Sequence, residues 1–73
     1  MFTIMARLKQ LRLQARLSVA ELSRLANVDR KTVERAESGK PIQDVKAYSI
    51  VATLGERLGQ EITVEDVDDL HVL

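Results

Sequence analysis

Seventy-three residues carry eleven Lys and Arg, eleven Asp and Glu, one His and no Cys. A chain of this length makes one domain at most, with a core small enough that a partner subunit would add to its stability. Without cysteine there is neither a disulfide framework nor a thiolate metal site, and His71 alone forms no imidazole cluster.

No apolar run reaches membrane-spanning length and no signal-peptide pattern is present, so a cytoplasmic location away from membranes is expected. Phe2 and Tyr48 are the aromatics, too few for a stacking platform on single strands or RNA. With no nucleophile–base set and no metal cluster, neither an enzyme nor a cofactor is expected. The zero net charge hides an asymmetry. Residues 1–46 hold ten Lys and Arg against five Asp and Glu, and residues 47–73 hold one Arg against six acids. It is the local field of that basic head that would meet phosphate.

In chain order, Met1 to Met5 is short and apolar, either the start of the first helix or a brief strand. The first helix is expected from about Ile4 to Ala15, because Ile4, Leu8, Leu11 and Ala15 recur on one helical face. Arg7, Lys9, Gln10 and Gln14 lie elsewhere and should be solvated, while Arg12 borders the apolar face. Arg16 and Leu17 begin the connection. Ser18 is a cap for the second helix, with Glu21 three residues on to close a capping box, and the helix covers about Val19 to Leu25.

Asn27 tolerates the left-handed conformation of a sharp turn, and Val28 anchors it. Asp29 is a cap for a third helix from about Arg30 to Glu37. Gly39 stands where a helix stop is expected, with Pro41 beyond it. Lys40 to Gln43 is a loop, and Asp44 is a cap for a fourth helix. Ala47, Ile50, Val51, Leu54 and Leu58 recur at helical intervals; Gly55 weakens the last turn and Gly59 ends it.

The tail, residues 60–73, reads in two ways. Thr63 and Asp66 make a capping box for a fifth short helix through Leu70, or Ile62 and Val64 alternate as in a strand. Val67, Leu70, Val72 and Leu73 either pack back on their own domain or contribute to a dimer contact. Glu65, Asp66, Asp68 and Asp69 should face water, and His71 is assigned no role.

Apolar spacing sets which way the central helices face. Leu22 and Ala26 share one side of the second helix, Val33 and Ala36 one side of the third, and with Val28 they can close a small core. Arg30, Lys31, Glu34 and Arg35 are left pointing outward. On charge alone this is an ordinary solvated face. Caps, turn, spacing and stop together match the DNA-binding helix-turn-helix arrangement over about residues 18–38.

From about Leu8 to Leu54 the chain resembles the Cro/phage-repressor (Xre) helix-turn-helix family. The segments that carry the resemblance are LKQLR, LSVAELSRLANV, DRKTVERAESGK and the apolar helix ending IVATL. It implies an all-α, compact four- to five-helix bundle of the lambda-repressor-like type, a single domain over residues 1–73. It also implies base reading by Arg30, Lys31 and Arg35, with Thr32 and Glu34 as secondary contacts. Ser18 and Lys40 fall at phosphate-contacting positions, and Arg12 and Glu37 where many members place an internal ion pair.

Four departures are visible. Val19 replaces the usual Gln that touches phosphate, Ser23 replaces a small Ala, and Asn27 replaces the usual turn Gly. The loop around Pro41 to Val45 is one residue longer than common.

These readings point to a sequence-specific double-stranded DNA-binding regulator, a homodimeric repressor or controller on a palindromic operator. The alternative is a protein-interaction module on the same fold, such as an antitoxin-like subunit whose acidic tail binds a protein partner.

Overall fold

A computed structural model describes residues 7–73. Four helices follow one another: α1 Leu8–Gln14, α2 Val19–Ala26, α3 Arg30–Glu37 and α4 Asp44–Leu58, with a single 3-10 turn at Val64–Asp66. α1 begins later than the apolar spacing suggests, because Arg7 is extended at φ −81° and ψ 149°. Ile4, expected to open that helix, lies outside the described residues, as does the segment Met1 to Met5. α2 and α3 run within one residue of their predicted bounds. At α4, Gln43 takes the cap position and Asp44 is the first helical residue. The Asp44 carboxylate still accepts the Val45 N–H at 2.8 Å, an acid placed where the helix dipole favours it.

Every helix stops by the same device. A left-handed residue follows the last turn, and the next N–H bonds back to a carbonyl five residues earlier, a Schellman closure that satisfies carbonyls the helix leaves orphaned. The left-handed residues are Arg16, Asn27, Gly39 and Gly59. The closing bonds are Leu17 N–H to Arg12, Val28 to Ser23, Lys40 to Arg35 and Gln60 to Gly55, at 2.9–3.1 Å. Asn27 and the two glycines were legible as stops. Arg16 was not, since a long side chain carries no turn signal; what holds it there is Leu17, 97% buried immediately after it.

α2 packs against both α3 and α4. Leu8, Leu22, Val33, Ile50 and Leu54 are fully buried at the centre, each worth about 1.5–3 kcal/mol of transfer free energy. The Ser49 hydroxyl on α4 donates to the Ala26 carbonyl at the end of α2, so the two helices are joined by a polar tie as well. Gly55 is buried where α4 meets the chain that turns back after it. A Cβ there would lie 2.7 Å from the Gln60 carbonyl oxygen.

The tail forms the expected Thr63–Asp66 capping box but neither the helix through Leu70 nor the strand. Only one turn of 3-10 helix forms: the Asp66 carboxylate accepts the Thr63 N–H at 2.9 Å, and Val67 is already extended. The helix does not reach Leu70 because the following residues are used elsewhere. Asp69, expected to face water, accepts the Leu8 N–H at 2.9 Å and so supplies a charged cap to the first turn of α1 from 61 residues away. Beyond it, Val72 forms a parallel bridge with Ile42 in the α3–α4 loop. Val67 and Leu70 are buried in the domain's own core, which withdraws them from the expected dimer contact, whereas Val72 and Leu73 remain 39% and 80% exposed. Glu65 and Asp68 are exposed as expected.

Candidate nucleic-acid interface

The site begins at Ser18. Its hydroxyl accepts the Glu21 N–H at 3.0 Å while Glu21 accepts the Ser18 N–H at 2.9 Å. The capping box is complete in both directions and fixes where α2 starts. These bonds hold the Glu21 carboxyl below its ordinary range, the backbone N–H of Ser18 being the main cause, its hydroxyl the next and Arg24 a smaller one. α2 then runs to the left-handed Asn27, and half-buried Val28 packs on the core at the turn. Asp29 stands at the cap of α3, but its side chain makes no capping bond. Its carbonyl accepts the Thr32 and Val33 N–H groups instead.

α3 divides cleanly by face. Val33 and Ala36 are fully buried. Arg30, Lys31, Glu34 and Arg35 are exposed. Thr32, expected as a secondary reading residue, lies on the inner side at 8% exposure and is withdrawn from the outward row: it stands one turn before fully buried Ala36, and residues four apart share a helical face. None of Arg30, Lys31, Arg35 or Lys40 is in an ion pair among the described residues. Arg35 leans back along the surface, its guanidinium 3.5 Å from the Pro41 carbonyl.

Behind this face, Arg12 of α1 holds Glu37 in the last turn of α3. The Arg12 Nε donates to one carboxylate oxygen at 2.6 Å and a terminal nitrogen to the other at 3.3 Å. The remaining terminal nitrogen donates to the Leu17 carbonyl at 3.0 Å. The two side chains are only 10% and 13% exposed. Glu37 sits at the negative end of its helix, an unfavourable place for a carboxylate that the guanidinium offsets. The node has a positional consequence. Ser18 follows Leu17, and Lys40 lies three residues past Glu37, so the start of α2 and the end of α3 are drawn into one neighbourhood. Arg30 and Lys31 lie at the opposite end of α3.

Val19, at the position where Gln is usual in the resembled family, packs partly against the core as the first residue of α2. Its side chain offers no hydrogen bond to a phosphate.

A second helix capped at Ser18, a turn through Asn27 and Val28, and a third helix with an outward basic face together form the helix-turn-helix geometry. No curated protein and no solved structure matches the chain. A family model described as a helix-turn-helix domain matches residues 5–70. With fold, turn geometry and family model in agreement over most of its length, the chain belongs to the helix-turn-helix domain family.

Proposed function

We propose that the protein is a sequence-specific, double-stranded DNA-binding regulator of the Cro/phage-repressor type, acting as a homodimeric repressor or controller on a palindromic operator. The observation that carries this is the outer face of α3, where Arg30, Lys31 and Arg35 stand exposed and without ion-pair partners among the described residues, on a helix braced from behind by Arg12 and Glu37. Arginine and lysine on such a face favour guanine O6 and N7, each good bidentate pair giving roughly 1–3 kcal/mol of discrimination. Glu34 lies in the same row and is suited to accept from a cytosine amino group.

Ser18 and Lys40, gathered near the Glu37 end of this helix, serve as phosphate contacts. One helix reads only a few base pairs, so affinity comes from two chains on two half-sites about 34–36 Å apart. Val72 and Leu73 are the tail residues left to contribute to the contact between copies.

Selection of binding sites from random duplex DNA, with the solution mass measured alongside, tests the reading. It expects a palindromic consensus and a dimer; a pool that enriches no sequence overturns it. The second reading, a protein-interaction module, draws on the exposed tail acids Glu61, Glu65 and Asp68. Salt separates the two, because several phosphate contacts weaken steeply with ionic strength and an apolar protein contact does not.

A further inference from the structure

The loop that carries Lys40 shares two backbone hydrogen bonds with the tail. On its near side, the Lys40 N–H is tied to the Arg35 carbonyl at the stop of α3. Pro41 has no N–H to extend that bonding. The next two bonds both come from the tail: the Ile42 N–H donates to the His71 carbonyl at 3.0 Å, and the Ile42 carbonyl accepts the Leu73 N–H at 2.9 Å. Between these fixed points the Pro41 carbonyl faces the Arg35 guanidinium. The tail is itself anchored ahead of this segment, by Val67 and Leu70 in the core and by Asp69 on α1.

We infer that His71–Leu73 are a positioning segment for the α3–α4 loop, setting the stance of Lys40, and of the Arg35 side chain that leans on the same loop, toward DNA. This rests on the DNA-binding reading above. The buried side chain of Ile42, 4% exposed, locates one point of the loop. It does not orient the peptide planes on either side, and that is what the two tail bonds do. The segment acts through the loop and needs no contact of its own with DNA.

Leu73→Pro deletes the donating N–H and leaves Val67, Leu70 and Asp69 in place. Leu73→Ala keeps that N–H and removes only the exposed side chain, which controls for any contact of that side chain with a second copy. Affinity for the selected operator is measured across a salt series, with thermal melting and solution mass on each variant. Leu73→Pro is expected to stay folded and to lower the salt slope toward that of Lys40→Ala, by up to about one unit per bound chain.

Leu73→Ala shows what loss of the side chain alone does to binding, and the Leu73→Pro slope is expected to fall below that of Leu73→Ala. In a Lys40→Ala background, Leu73→Pro should have no further effect on the slope, since residues acting through one contact are not additive. Should the proline variant fail to fold, a chain ending at Val72 removes the same donor without imposing proline geometry, and the same slopes are expected. Parental slopes in these donor-less variants, or losses that add in full to that of Lys40→Ala, overturn the inference while leaving DNA binding intact. A parental chain that binds no duplex at all overturns the DNA reading and this inference together.

Discussion

Arg12 and Glu37 are 25 residues apart in the chain and 2.6 Å apart in the fold. They join the helix that opens the domain to the helix that carries its exposed cations. Removing one partner strands the other in a poorly solvated place, at a cost of about 3–5 kcal/mol for a buried pair. Glu37→Ala should therefore lower the melting temperature by about 12 °C or more, taking at least 4 °C per kcal/mol for a domain of this size. Arg12→Met combined with Glu37→Leu should recover much of the loss. A thermal melt of the parent and the two variants decides it, and a Glu37→Ala protein that melts with the parent would show the pair contributes nothing.

Gly55 tests whether helix propensity or packing governs α4. Alanine favours a helix interior over glycine by about 1 kcal/mol, so by local rules Gly55→Ala stabilises. The added Cβ would meet the Gln60 carbonyl at 2.7 Å, and backbone there is tied by its own bond to Gly55. The expected result is a net loss of about 1–3 kcal/mol in a denaturant titration, the usual range for overpacking.

The Ser18–Glu21 box makes stability depend on pH with a definite sign. The folded state holds the Glu21 carboxyl below its ordinary value, so the contribution is present above that value and is lost as pH falls through the depressed one. Ser18→Ala removes the hydroxyl and keeps the backbone N–H that is the larger cause, so it should move the Glu21 titration, followed by NMR, only part of the way back up. A Glu21 titration that does not move would mean the Ser18 hydroxyl has no part in holding it.

Base and phosphate contacts should fail differently. Arg30→Ala or Arg35→Ala should cost about 1–3 kcal/mol on the selected operator and relax preference at one base position. Lys40→Ala should weaken binding to all sequences about equally and reduce the salt slope by about one unit. Affinities for the operator and a scrambled duplex across a salt series separate the two. Arginine variants that lose equally on both duplexes would be phosphate contacts, and variants that lose nothing would move the reading element away from α3.

The elements visible in the sequence were those written in local signals. Ser18 with Glu21, Asn27, Gly39 and Gly59 mark starts and stops within a few residues of where they act, and hydrophobic spacing turned Leu22, Val33 and Ile50 inward without reference to distant chain. The outward row of Arg30, Lys31, Glu34 and Arg35 follows from that rotation, and so does the burial of Thr32, which stands four residues before the inward Ala36. What the tertiary structure alone decided are contacts between residues far apart in sequence. Asp69 caps α1, Ser49 ties α4 to the end of α2, Val72 pairs with Ile42, and Gln60 turns back so closely over Gly55 that no side chain fits. A carboxylate or a short apolar run looks the same to its sequence neighbours whether it faces water or a helix end. Which of these it meets depends on where the packed helices bring the tail, and that placement is a property of the assembled core.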